Sequence, residues 1–312
     1  MTAAPARPLP TRPETAAPPP GAPPLPGSAS TALRGVLAGP PRAARVLARY
    51  PGSLYLELRG AAEPRVVAVV AADAARPPNS VVLAAAVRDR PFRRVGDGAD
   101  VRVGEGRIEA GGLLVRARRR WDPRPALGTP APGPCARGLR SVERALADAG
   151  GRGGLAGHPA PERLADRCAA GDLAGAVEAA ERIVGLGPGL TPSGDDILAG
   201  LLASLLLVGG ALRDGGRAVR LAAWLGAAVT EDAGTRTTAP SATLLHCAAR
   251  GAAGAEVGAV LRAVVGREAA VPAVRRLLAV GRSSGPDLVR GAVAGARAAL
   301  ALAAAERAAR GG

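Results

Sequence analysis

Lysine and glutamine are missing from this 312-residue chain, asparagine occurs once, at Asn79, and aromatic residues make up only 2% of it. Each scarcity excludes something. Without lysine there is no Schiff base, no pyridoxal phosphate aldimine and no lysine general base. A Walker A loop is excluded as well, because its lysine is the group that reaches the phosphates. The two histidines, His158 and His246, and the three cysteines, Cys135, Cys168 and Cys247, show no zinc-ligand spacing. Three scattered thiols fit a reducing cytoplasm better than a disulfide framework. His158, beside Pro159, reads as a surface or capping residue, and His246 reads as structural.

A net charge of +15 invites a nucleic-acid reading. The details argue against it. All 41 cationic residues are arginine, and they are dispersed, with Arg116, Arg118, Arg119 and Arg120 the densest run. Together with abundant Ala, Gly and Pro, this looks like the bias of a GC-rich genome. One Phe, two Tyr and two Trp supply few stacking platforms for single strands. No nucleic-acid partner is expected. Residues 1–28 carry many prolines and no apolar segment of the signal-peptide kind. The apolar stretch from Ile197 to Leu212, broken by Ser204, falls short of the roughly 20 residues of a membrane span. A buried core helix is expected there, with no membrane partner.

What is present is Ala, Val and Leu, within a hydrophobic share of 48%. The pattern divides the chain into an α+β arrangement. Residues 1–28 read as a disordered Pro-rich leader. Residues 35–125 read as a β-rich domain, barrel- or sandwich-like. Ser53–Arg59 and Ala99–Val103 alternate, Val66–Val70, Val81–Val87 and Gly112–Ala117 are apolar runs, and Gly96–Gly98 and Gly104–Gly106 are turns. Residues 126–138 form a linker. Residues 139–310 carry apolar spacings of three and four, the mark of helices.

The chemistry concentrates in that helical half. Residues 185–196 read Gly-Leu-Gly-Pro-Gly-Leu-Thr-Pro-Ser-Gly-Asp-Asp. Glycine lets backbone approach a ligand closely, and a helix start offers free N–H groups and a favourable dipole to an anion. Gly187, Gly189, Thr191, Ser193 and Gly194 are therefore candidate anion-binding residues. The plainer alternative makes Ser193 an N-cap with Asp196 three residues on, an acidic capping box. Ser193-Gly-Asp-Asp-Ile-Leu-Ala-Gly200 is echoed by Ser284-Gly-Pro-Asp-Leu-Val-Arg-Gly291. The echo predicts two helix N-termini facing one ligand, adding Ser283, Ser284, Gly285 and Asp287, with the last glycine of each motif admitting a close neighbour. A third loop surrounds Arg236, a bidentate fork for carboxylate or phosphate, with Thr237, Thr238 and Ser241 beside it.

These three motifs, together with Trp121-Asp-Pro123, resemble the AllH-like subunit family of oxamate carbamoyltransferase. The resemblance spans roughly residues 35–305. It implies a cytoplasmic subunit of a hetero-oligomeric complex in allantoin (purine) catabolism. Such a complex moves a carbamoyl group between oxalurate and phosphate, giving oxamate and carbamoyl phosphate. Members often place His where this chain has Arg282, which puts any acid–base role of that position in doubt. Under this resemblance the Gly187–Gly194 loop takes phosphate, with Thr191 and Ser193 donating. Arg236 and Ser283-Ser284 grip a carboxylate. Asp195, Asp196 and Arg236 are the candidate catalytic residues, with Asp195 turned to the site and Asp196 capping the helix. Carboxylates beside phosphate need an explanation. The most economical is that they hold Arg236 or Arg282; the others are Mg²⁺ or hydrogen bonds from the carbamoyl NH₂. No other cofactor is expected. The alternative function is a non-catalytic subunit that binds a small anion or scaffolds the complex.

Overall fold

The computed structural model describes residues 23–60, 62–151 and 153–311. Eight strands close into a barrel in the order β1-β5-β4-β3-β2-β6-β7-β8. They are β1 Leu25–Ser30, β2 Arg42–Arg49, β3 Ser53–Leu58, β4 Val66–Val70, β5 Ser80–Leu83, β6 Val101–Gly104, β7 Arg107–Ala110 and β8 Leu113–Trp121. Closure depends on β1 running parallel to β8 and antiparallel to β5. Alternation decides what points inward. Leu54, Leu56 and Leu58 of β3 join Val67, Val69, Ile108 and Val115 in the barrel core. The β6–β7 hairpin turns at Glu105 (φ 49°) and Gly106 (φ 71°), the two positive angles that a type I′ turn needs.

The expected β-rich half is therefore a barrel, and its edges differ from the sequence reading. The leader assignment to residues 1–28 lies outside the described residues up to 22. Beyond them, Leu25–Ser28 already belong to β1, so the barrel starts earlier than residue 35. Strands β1, β2 and β7 were not expected. Leu-Pro-Gly-Ser-Ala-Ser and Arg-Ala-Ala-Arg-Val-Leu-Ala-Arg carry little alternation, and their neighbours in the closed sheet recruit them.

A short helix, α1 (Arg34–Ala38), lies within the barrel half. The helical half then comprises α2 Pro132–Ala149, α3 Pro159–Ala170, α4 Leu173–Glu181, α5 Ser193–Ala211, α6 Gly216–Glu231, α7 Ala233–Arg236, α8 Ala239–Ala249, α9 Ala255–Val264, α10 Ala270–Leu278 and α11 Ser284–Gly311. The expected linker 126–138 is shortened, because Pro132 and Pro134 sit in the first turn of α2, where a missing N–H costs nothing. His158 accepts the Ala160 N–H as the N-cap of α3, as expected of a capping residue.

Helices α5 and α11 are the axis of this half. By length and composition both are apolar enough to cross a membrane, but 78% and 56% of their most apolar windows are buried within the fold. They lie side by side with their N-termini together. Barrel and helices are tied at α8. The Thr243 hydroxyl accepts the Val66 N–H at 3.1 Å and donates to the Glu63 carboxylate at 2.5 Å. Thr243→Val keeps the volume and leaves the buried Val66 N–H without its partner, while Glu63 keeps the Arg65 N–H. It should lower unfolding stability by about 1–3 kcal/mol. An unchanged denaturant midpoint would show that this tie contributes nothing.

Candidate functional site

The two Ser-Gly-x-Asp motifs open α5 and α11 and meet at one place. Thr191 donates to Asp196 Oδ2 at 3.2 Å, and its oxygen lies 3.0 Å from Ser284 Oγ. The motifs also exchange partners. The hydroxyl of Ser193 faces Asp287, and that of Ser284 faces Asp196. Each serine thus serves the acid of the other motif. The glycines repeat the symmetry. A Cβ on Gly194 would lie 1.8 Å from the Ile183 carbonyl oxygen, and one on Gly285 would lie 2.0 Å from that of Leu277. In both motifs the glycine seats the new helix against the end of the preceding helical segment. The expectation that two helix starts converge is met.

The three acids are sealed: Asp195 and Asp287 are 0% exposed and Asp196 is 1% exposed. Burial raises the pKa of all three, because charge is costly away from water. For Asp195 the hydrogen bonds from Thr237 and Gly185 pull the other way, and for Asp287 those from Ser193 and Gly154 do so. Asp196 is pushed to about 7 by burial, with Ser284 and Thr191 opposing and the neighbouring Asp287 and Asp195 adding to the rise. Near neutrality it stands between acid and carboxylate.

Several sequence assignments change. Ser193 is not an N-cap: Pro192 holds that position, no side chain caps the helix, and α5 begins at Ser193 itself. The roles given to the two aspartates are exchanged. Asp195 is the clamp, accepting the Gly185 N–H at 2.8 Å and the Thr237 hydroxyl, so it ties the glycine loop to the α7–α8 connection. Asp196 faces the hydroxyls shared by the two motifs. Arg236 holds neither acid. Its Nη2 donates to the Glu181 carbonyl at 2.8 Å, and its Nη1 lies 3.7 Å from Asp232. Arg282 is exposed. The site is lined with acids where a cationic pocket was expected.

The anion seat also moves. In the first turn of α5, the Gly194 N–H goes to the Leu186 carbonyl, and those of Asp195 and Asp196 go to Pro192. At the second motif, the Gly285 N–H goes to Val280 and that of Asp287 to Ser283. These amides are already used. The loop just upstream differs. Gly187 (φ 118°) and Gly189 (φ 103°) bend it as only glycine does readily. Among the described residues, the N–H groups of Gly187, Gly189, Leu190 and Thr191 make no hydrogen bond. Pro188 and Gly189 are exposed. Thr238 pins this loop by donating to the Leu190 carbonyl at 2.6 Å, and it also accepts the Ser241 N–H at 3.3 Å as the cap of α8. Ser241 is buried beside Asp195. Ser283 is partly exposed at the rim.

Two residues escaped the sequence reading. Gly153 and Gly154 pack over the acids. The Gly154 N–H donates to Asp287 Oδ2 at 3.1 Å, and a Cβ there would lie 2.1 Å from Ser193 Oγ. A Cβ on Gly153 would lie 1.9 Å from Asp287 Oδ1. The available signal was the paired glycines at 150–151 and 153–154. Among the described residues, no cluster of three or more His, Cys, Asp or Glu is arranged to hold a metal ion.

Residues 183–296 match the family described as oxamate carbamoyltransferase subunit AllH. Residues 183–296 are thus similar to that family. The matched segment opens just before the glycine loop and ends within α11, so it contains both Ser-Gly-x-Asp motifs and the Arg236 loop. It covers less than half of the chain, and the barrel lies outside it. No curated protein and no solved structure matches the chain.

Proposed function

We propose that this AllH-like chain is a cytoplasmic subunit of an oxamate carbamoyltransferase-like complex. The complex would transfer a carbamoyl group between oxalurate and phosphate in allantoin (purine) catabolism. One observation carries the reading: the open amides of Gly187, Gly189, Leu190 and Thr191 stand beside the Thr191–Ser284 hydroxyl pair and a carboxyl with a pKa of about 7. Free amides receive an anion without needing a cation. Phosphate or a substrate carboxylate occupies the loop, and Ser283 and Ser284 border it.

In the direction of phosphorolysis, a phosphate oxygen bonds to the ureido carbon of oxalurate and the carbon–nitrogen bond to the oxamate nitrogen breaks. That nitrogen takes a proton, and carbamoyl phosphate forms. Asp196, near its midpoint at neutral pH, exchanges that proton through the Thr191 and Ser284 hydroxyls. The loop amides stabilise the oxyanion by orientation. Asp195, Thr237 and Thr238 position the loop. No metal or other cofactor enters this scheme, and the partners are the small anionic substrates carbamoyl phosphate and oxamate together with the other subunits.

The test is oxamate-dependent phosphate release from carbamoyl phosphate by the assembled complex. Thr191→Val combined with Ser284→Ala should lower kcat roughly 100-fold, two lost hydrogen bonds at about tenfold each. Full turnover by that variant would remove this subunit from the chemistry. A second reading, a non-catalytic subunit that binds a small anion or scaffolds the complex, is favoured by the sealed state of the acids. It predicts phosphate binding by the isolated chain that the double variant weakens, with an unchanged rate in the complex.

A further inference from the structure

Helix α6 packs against α4, α5, α8 and α11 on one side, where Leu221, Ala222, Leu225, Gly226 and Val229 are buried. Its other side is open. Arg217, Arg220, Ala223, Trp224, Ala227 and Glu231 form a stripe along it, and all six are exposed. Trp224 is 65% exposed in a chain that has only two tryptophans. A single exposed apolar residue is ordinary, but the alanines one turn of helix to either side extend this one into an apolar strip.

The charges at the two ends of the stripe run against the helix dipole. Anions suit a helix start and cations suit its end. Helices α3, α9 and α11 follow that rule, with Glu162, Glu256 and Asp287 in their first turns and Arg167, Arg262 and Arg310 in their last. Helix α6 has no acid in its first turn and no base in its last. Arg217 stands at its start and Glu231 at its end, each one heptad from Trp224. An α-helix drifts by about 20° per heptad, so all three side chains share one face. The anion at the start of α6 comes from elsewhere: Glu306 of α11 accepts the Arg217 N–H at 2.8 Å. The face is thus positive, then apolar, then negative, an order that does not serve the helix itself. It does match a reversed copy of the same face.

We infer that α6 docks antiparallel against α6 of a second copy of this chain, about a twofold axis near Trp224. A twofold contact uses one patch twice, so it must be self-complementary. Trp224 of each copy lies on Ala223 and Ala227 of the other, as the aromatic anchor of the contact. Glu231 of each copy reaches the Arg217 and Arg220 end of the other. A parallel pairing would set arginine against arginine and acid against acid. With 16 residues α6 is about 24 Å long, so the contact is small and the dimer weak and reversible. The pairing uses none of the motif residues, and its failure would leave the proposed function standing.

Sedimentation of the full chain from micromolar to submillimolar concentration tests the pairing. Wild type should pass from monomer to dimer across that range. Its tryptophan emission should move to shorter wavelength as the dimer forms, because Trp224 leaves water. Trp224→Ser should weaken the dimer by at least about 30-fold, the usual loss at an aromatic hot spot. Glu231→Arg alone, and Arg217→Glu combined with Arg220→Glu, should each weaken it by about tenfold through like charges. Combining all three charge reversals should recover most of the loss, a rescue that damaged folding cannot produce. A chain that stays monomeric throughout, a dimer that survives Trp224→Ser, or a triple variant no better than its parents would overturn the pairing. So would a monomer that uses this face only for a different subunit.

Discussion

Placing alanine at Gly200 or Gly291 is expected to destabilise the protein by about 3 kcal/mol, at the upper end of what overpacking costs. A Cβ on Gly200 would lie 2.2 Å from the Leu288 carbonyl oxygen and 2.9 Å from the Ala292 nitrogen. A Cβ on Gly291 would lie 2.0 Å from the Ile197 carbonyl oxygen and 2.9 Å from the Leu201 nitrogen. The clash is with main chain on both sides, so no rotamer change relieves it. Helices α5 and α11 would have to separate, and the convergence of Thr191 and Ser284 would separate with them. For a chain of this size, with an unfolding entropy of about 2 cal/mol/K per residue, the loss corresponds to a fall in Tm of about 5 °C. Gly210 on the same helix is the control. It is exposed, and the nearest atom to a Cβ there lies 3.9 Å away, so Gly210→Ala should be neutral or slightly stabilising through helix propensity. Equal thermal midpoints for Gly200→Ala and Gly210→Ala would rule out the close crossing.

Asp196→Asn is expected to raise stability and lower activity at the same time. The wild-type carboxyl titrates near 7 in the folded chain against 3.8 unperturbed. Below about pH 4 both states are protonated and the group contributes nothing to the pH dependence. Between there and neutrality the folded chain keeps a proton that the unfolded chain releases, so stability falls as pH rises; above pH 7 the cost is constant. The full cost is on the order of 4 kcal/mol. Asparagine has the same shape and no charge to bury. Relative to wild type, the variant should gain most of that energy between pH 4 and pH 8 in denaturant titrations. Asp195 and Asp287 shift in the same direction and remain in both proteins, but their charges couple to that of Asp196, so the gain also includes relief of those two neighbours. Carbamoyl transfer by the complex should fall by about 100-fold or more, the usual share of a group that carries a proton. A stability difference that does not change with pH would mean that Asp196 is not strained in the way its burial indicates.

Much of the site was legible because its information is local. Serine, glycine, aspartate and a glycine seven residues after the serine recur in both motifs, and each type acts within one or two helical turns. That spacing was enough to read two helix starts and a close neighbour. It was not enough to say which acid faces the shared hydroxyls. Asp195 and Asp196 point about 100° apart, and the rotation of α5 is set by Gly194 against Ile183 across the glycine loop and by Gly200 against Leu288, a partner far along the chain. Arg236 was misread for the same reason. A carbonyl at the end of α4 competes for its guanidinium, and no pattern near residue 236 encodes that carbonyl.

The sequence by itself determined the α+β division, the glycine loop, the paired motifs and the exclusion of lysine chemistry, because composition and short periodicities express local backbone preference. Only the tertiary structure decided the closure of the barrel by β1 and the exchange of serines between motifs. It alone decided the sealing of three acids as well. Each of these depends on which distant surfaces meet, and burial, which sets both the pKa of Asp196 and the tightness of the α5–α11 crossing, is a property of that meeting and not of any segment alone.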